Sequence, residues 1–251
     1  MTTKTIHGEA RTRDGVTLSF TRYPAEKGTP RIVFVHSLAL DRSLWSRVTE
    51  ALDGRADMVA YDCRGHGRSG RPRGPYTTAQ FADDLADLLD HLGWADAAVV
   101  GCSMGGCVAQ AFASRHRGRT CAALFVDTTA WYGTAAAQNW ATRVAAARER
   151  DLRSLVPSQL ARWFGDTFRE ANPELMSRRA ASTIAHPAAV LVGENDQATP
   201  PAMAKDLAER IGDGAAVVVP RTRHLTPLEN PGAVVGALTD LLERAAERSH
   251  S

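Results

Sequence analysis

The sequence predicts an α/β fold, a doubly wound and mostly parallel sheet, and three observations lead there. Six short continuous apolar runs, at 31–36, 57–62, 97–101, 121–127, 188–193 and 215–220, have the composition of strands buried on both faces. Segments of helical period lie between these runs, and strands alternating with helices imply right-handed crossovers within one sheet. A seventh stretch, V-T-L-S-F-T-R-Y at 16–23, alternates apolar and polar residues as a half-exposed antiparallel strand does.

The clearest helix follows Thr78, whose hydroxyl can cap it. Phe81, Leu85, Leu88, Leu89 and Leu92 then form one apolar stripe, and Gly93 ends it. Ser103 to His116, Pro200 to Ile211 and Pro231 to Glu247 are further helical stretches, the last two with proline in the first turn, where its missing N–H does no harm. The rhythm breaks between Trp131 and Pro187, a segment rich in alanine and arginine that carries Trp131, Tyr132, Trp140, Trp163 and Phe164. An insertion after a strand's C-terminal end lies over the edge where such sheets bind ligands. Residues 1–130 and 188–251 are therefore expected to form the core, and 131–187 a helical lid.

Composition excludes several classes. With 44% apolar and 23% charged residues the chain is neither disordered nor membrane-spanning in composition, and no run of 18 apolar residues occurs. The polar start M-T-T-K-T-I-H-G-E-A lacks a signal peptide's apolar centre, so a cytoplasmic location is expected. Thirty basic against 28 acidic residues leave a net charge of +2, which gives no electrostatic footprint for nucleic acid. Cys63, Cys102, Cys107 and Cys121 sit among apolar neighbours without a C-x-x-C pair, and read as buried thiols rather than metal ligands or disulfides.

The chemistry centres on G-C-S-M-G at 101–105. A G-x-S-x-G match alone is weak, but here an apolar strand enters at Val100 and a helical pattern leaves at Met104. A serine on so sharp a strand-to-helix turn needs small neighbours, which Gly101 and Gly105 supply, and the helix N-terminus favours negative charge developing there. A serine nucleophile needs a base, and the base an orienting acid. Among eight histidines His224, in R-T-R-H-L-T-P between the last strand and last helix, is placed to return to Ser103. His36 and His66 stand beside turn residues and read as loop-structuring, while His7, His91, His116, His186 and His250 carry no constellation. Two acids satisfy the order Ser…Asp…His. Asp196, in G-E-N-D-Q-A-T-P just past a strand, is preferred because it lies in a loop before a new helix. Asp127 ends the strand that follows the serine's helix, and Glu194 reads as solvated.

With Ser103, Asp196 and His224 in that order, the chain resembles enzymes of the α/β-hydrolase fold over nearly its whole length. The phrases SLALDRSLW, YDCRGHGRSGRPRGPYT, GCSMGG, ARWFGDTFREANPEL and GENDQATPP are similar to the 3-oxoadipate enol-lactonase branch, with cofactor-free haloperoxidase-like esterases close by. The resemblance implies an eight-stranded sheet and an oxyanion hole of two backbone N–H groups, here those of Leu38 and Met104. It also implies an ester- or lactone-cleaving serine hydrolase of aromatic-compound degradation that needs no cofactor and no metal, and whose partner is a small-molecule substrate. A general carboxylesterase with perhydrolase side activity, a carbon–carbon bond hydrolase and a non-enzymatic small-molecule receptor are the rival readings. A monomer and a homodimer both stay open. Two departures stand out. His36-Ser37 replaces the His-Gly of many relatives and the Asn-Ser common in enol-lactonases, and N-P-E-L-M at 172–176 precedes the next strand by only a dozen residues, so the lid is expected to be short. From Trp131 to Ala185 eight arginines face five acids, an excess that suits a carboxylate-bearing substrate, although most such charges solvate helix faces. Trp131, Arg162 and Trp163 are the candidate substrate contacts.

Overall fold

The computed structural model describes residues 5–149, Trp163, 188–211 and 216–248. Their eight strands form one sheet in the order β1-β2-β4-β3-β5-β6-β7-β8. The strands are β1 (Ile6–Arg11), β2 (Thr17–Tyr23), β3 (Arg31–Val35), β4 (Asp57–Tyr61), β5 (Ala97–Cys102), β6 (Thr120–Val126), β7 (Ala188–Gly193) and β8 (Ala216–Val219). β1 pairs antiparallel with β2 and β2 with β4; every later pairing is parallel. The expected doubly wound, mostly parallel sheet is thus present.

Each central strand divides its side chains between two cores, as a pleat with period two requires. In β3, Val33 and Val35 face the side covered by α2 (Thr78–His91), α3 (Gly105–Arg115) and α5 (Pro201–Ile211). Ile32 and Phe34 face the other, beneath α1 (Ser46–Ala51) and α7 (Pro231–Arg248), where Trp45 is fully buried against Phe34. β5 repeats the division, with Val99 on the first side and Val100 and Cys102 on the second. Burying an aliphatic side chain of this size contributes about 1.5–3 kcal/mol, so the two cores dominate stability.

Two sequence expectations need correction, and one strand carries no pattern to read. The cap of α2 is Thr77, whose hydroxyl accepts the Gln80 N–H, and Thr78 is the first helical residue. β1 has no strand-like pattern, because only Ala10 of I-H-G-E-A-R is buried. Of the four cysteines expected to be buried, Cys63 and Cys102 are; Cys107 is half-buried and Cys121 exposed, because Cys121 stands near the start of β6 before the strand enters the core. Of the segment 131–187 expected to form a lid, residues 131–149 and Trp163 are described and include α4 (Ala136–Glu149). Among the described residues no helix is long and apolar enough to cross a membrane.

The strand order reverses direction at β3: the chain runs from β3 outward to β4 and then returns to β5 on the opposite side of β3. The loops after β3 and β5 therefore part at the switch point, at the strands' C-terminal ends, the general ligand position in such sheets.

Candidate active site

Ser103 follows β5 directly and has φ +51°, the left-handed region that residues with a Cβ rarely enter. Such strain persists only where the surroundings over-determine it. Here the Ser103 N–H donates to the Val126 carbonyl at 2.9 Å, and Thr128 Oγ1 donates to the Ser103 carbonyl at 3.1 Å. The flanking glycines are dictated by close backbone approach. A Cβ on Gly101 would come within 2.2 Å of the Gly105 carbonyl oxygen, and one on Gly105 within 1.9 Å of the Val35 carbonyl oxygen. α3 starts two residues beyond the serine, so the positive end of a helix dipole lies beside it.

His224 lies between β8 and the short α6 (Thr226–Glu229), with its backbone N–H donating to the Trp163 carbonyl at 2.9 Å. Its Nδ1–H donates to Asp196 Oδ2 at 2.8 Å, which leaves Nε2 to accept from Ser103 Oγ at 2.9 Å. Asp196 is held in turn. Its Oδ1 accepts the N–H groups of Ala198 and Thr199 at 2.7 and 2.9 Å, and Oδ2 accepts the Thr199 hydroxyl at 2.7 Å. Burial alone would push this carboxyl up, but the adjacent His224 and the Thr199 donors outweigh burial and hold it below the usual carboxylate range. All three side chains are buried. The other acid, Asp127, meets Gly193 and Thr226 instead, while Asp196 occupies the Nδ1 side of the ring.

His36, read from sequence as loop-structuring, is fully buried and does structure its loop. Its Nε2 accepts the Cys63 N–H at 2.9 Å, so Nδ1 carries the hydrogen and donates to the Ser37 carbonyl at 2.7 Å. The Leu40 N–H reaches the same oxygen at 3.1 Å. Because a trans peptide sets C=O and N–H on opposite sides, these two bonds fix the direction of the Leu38 N–H. Leu38 is 42% exposed, whereas Met104, just after the serine, is buried.

Of the three candidate substrate contacts, Trp131 is 54% exposed and Trp163 is buried in the core against the β-sheet face that carries Phe34, its carbonyl on His224. Arg162 lies outside the described residues. Thr199 was not singled out from sequence, although an Asp followed three residues later by Thr is a familiar side-chain-to-backbone turn pattern that could have marked it. Among the described residues no three His, Cys, Asp or Glu side chains gather as a metal site.

The sequence model of the alpha/beta hydrolase fold matches residues 30–186. The chain belongs to this family. Within it, 3-oxoadipate enol-lactonase 2 of Acinetobacter baylyi is 27% identical over 93% of this chain and 96% of its own. The crystal structure of the enol-lactonase from Burkholderia xenovorans superposes with a TM-score of 0.84 at 29% identity, covering 94% of this chain and 100% of that one. A thermophilic esterase from Thermogutta terrifontis gives 0.82 at 28% identity, over 96% and 99% of the two chains. The protein is accordingly a hydrolase.

Proposed function

We propose that this hydrolase cleaves a small ester or lactone through a Ser103–His224–Asp196 triad and an acyl-enzyme, with a lactone of the 3-oxoadipate enol-lactone class as substrate. The observation that carries the reading is the unbroken chain of hydrogen bonds from Ser103 Oγ through the His224 ring to Asp196. As the Ser103 oxygen attacks the carbonyl carbon, His224 Nε2 takes its proton and Asp196 supports the imidazolium that results. The tetrahedral oxyanion is received by the N–H groups of Leu38 and Met104. Donors aimed in advance at developing charge are worth about 3–4 kcal/mol of barrier each. His224 then hands the proton to the leaving oxygen, and water repeats the sequence against the acyl-enzyme. In an enol-lactone the leaving enol stays tethered and becomes a ketone, which draws ring opening forward.

The fixed Ser37–Leu38 peptide supports the oxyanion assignment, since a donor whose direction is already set needs no reorganisation during reaction. Both enol-lactonase relatives are similar over nearly full length, which favours the lactone. The esterase likeness is almost as close, so a general carboxylesterase is the second reading. Two measurements decide. A fluorophosphonate probe should label the folded wild type and leave Ser103→Ala unlabelled. A panel of 3-oxoadipate enol-lactone, simple lactones and p-nitrophenyl esters of increasing length should give its highest kcat/KM on the enol-lactone; a clear preference for the simple esters transfers the assignment to the second reading.

A further inference from the structure

Asp127 stands immediately after β6, fully buried and with φ +52°. Its carboxylate joins two segments distant in sequence. Oδ1 accepts the Gly193 N–H at 3.1 Å and the Thr226 hydroxyl at 2.8 Å, and Oδ2 accepts the Thr226 N–H at 2.7 Å. Gly193 ends β7, three residues before Asp196, and Thr226 follows His224 by two residues. The surrounding chain reinforces the junction. The Asp127 N–H donates to the Leu191 carbonyl at 2.8 Å, and the neighbouring Thr128 hydroxyl reaches the Ser103 carbonyl. At Gly193 a Cβ would come within 2.0 Å of the Arg223 carbonyl oxygen, so the end of β7 and the His224 loop touch backbone to backbone beside the carboxylate.

We propose that Asp127 is a positioning residue for the reaction, one that locks the loop bearing His224 to the end of the strand that delivers Asp196 and whose negative charge assists formation of the His224 imidazolium. The proposal rests on the triad reading given above. Three donors on one buried carboxylate are a matched set: an amide has a single acceptor oxygen and would turn its NH2 toward an N–H. An unmatched buried donor costs about 1–3 kcal/mol, and this loss would fall on the hinge between the base and its acid. The charge adds a second effect. The groups around Asp127 that bear charge or titrate are Asp196, His224 and the Cys102 thiol. Burial and the Asp196 charge push the Asp127 carboxyl up to about 7, while His224 pulls it down. The attraction is mutual, so an ionised Asp127 favours a protonated His224.

The test is the pH profile of kcat/KM on p-nitrophenyl acetate for wild type, Asp127→Asn, Thr226→Val, Asp196→Asn and Ser103→Ala, each checked for folding by circular dichroism. Asp127→Asn should lower the plateau about tenfold, the effect of one buried hydrogen bond. It should also move the midpoint of the acid limb to lower pH by about half a unit or more, because the imidazolium has lost an attraction. Thr226→Val keeps the carboxylate but removes one donor, so Asp127 holds its charge less firmly and the limb moves the same way by a smaller step. Folded variants with an unmoved acid limb overturn the proposal, since a merely structural residue would lower activity equally at all pH values. A loss in Asp127→Asn as deep as that in Asp196→Asn also overturns it, by making Asp127 the orienting acid itself. If Asp127→Asn does not fold, the Thr226→Val limb decides. Full activity in Ser103→Ala would sink the triad reading instead, separately from any shift in the limb.

Discussion

Ser103 Oγ lies 2.9 Å from Nε2 of His224, a residue 121 positions further along the chain. Three strand ends had to be brought together to produce that distance, and the serine backbone is held in a left-handed conformation to achieve it. On the triad reading, Ser103→Ala removes the nucleophile and little else, because the side chain is small and its position is fixed by backbone bonds. Hydrolysis of p-nitrophenyl acetate should fall by about 10⁶-fold, as loss of a catalytic serine does elsewhere, with Tm within a few degrees of wild type. Turnover retained at wild-type level would remove Ser103 from the mechanism.

Asp196→Asn tests the orienting acid. The amide cannot reproduce a carboxylate that accepts Nδ1–H while also receiving Thr199 Oγ1 and two backbone N–H groups. The imidazole would then favour the tautomer with hydrogen on Nε2, which cannot take the serine proton. A loss of about 10⁴-fold in kcat is expected. Thr199→Val removes the hydroxyl bond to Oδ2 and the longer contact of the same hydroxyl with His224 Nδ1 at 3.3 Å, and should cost about tenfold. Reversal of that ranking, read in steady-state kinetics, would move the orienting role away from Asp196.

The parts of this molecule that were legible in the sequence are those where physics acts on consecutive residues. A strand buried on both faces must be apolar throughout, so R-I-V-F-V and A-A-V-V-G declared themselves. The elbow was readable because two close backbone approaches force glycine at 101 and 105. β1 was not, since an edge strand with one buried residue needs no pattern. The short α1 also went unread, too brief for a helical period to emerge. Ser103, Asp196 and His224, the side chains that one chain of hydrogen bonds joins, are legible as candidates because each stands past a strand end in the order Ser, Asp, His. The work of Asp127 is not legible, because its partners are backbone and hydroxyl groups 66 and 99 residues away. Nothing in the composition around D-T-T signals them.

The loop at 62–70 offers a prediction about stability. Arg64 is buried between two carboxylates: its guanidinium donates to Asp84 from Nε at 2.6 Å and from Nη2, and to Asp14 from Nη1 at 2.9 Å. Asp84 is equally buried, and burial pushes its carboxyl up despite the arginine. Arg64→Leu would strand that carboxylate, and breaking a buried pair by removing one partner costs about 3–5 kcal/mol. Adding Asp84→Leu should recover much of the loss, because a well-packed apolar pair avoids the desolvation penalty. Urea unfolding of the single and double variants checks both statements, and a single variant as stable as wild type would contradict them.

Asp127 makes an opposite demand on stability, and its sign can be worked out. Its carboxyl is pushed up to about 7 in the folded protein by burial and by Asp196, against about 3.9 for an unfolded aspartate. Between those two values the folded state binds more protons than the unfolded state, so stability falls as pH rises. The contribution is complete below about pH 4 and is lost as pH passes 7. Its size is on the order of a few kcal/mol, since each pH unit of separation corresponds to about 1.4 kcal/mol. Asp127→Asn cannot titrate, so the difference in unfolding free energy between wild type and variant should shrink steadily from pH 4.5 toward pH 7.5. Urea melts at half-unit intervals would read it out, and a constant difference across that range would mean that Asp127 keeps its proton count unchanged on unfolding. Such a result would mean that Asp127 is ionised in the folded protein across the whole range, with its charge available to His224 throughout and its burial outweighed by the hydrogen bonds from Gly193 and Thr226.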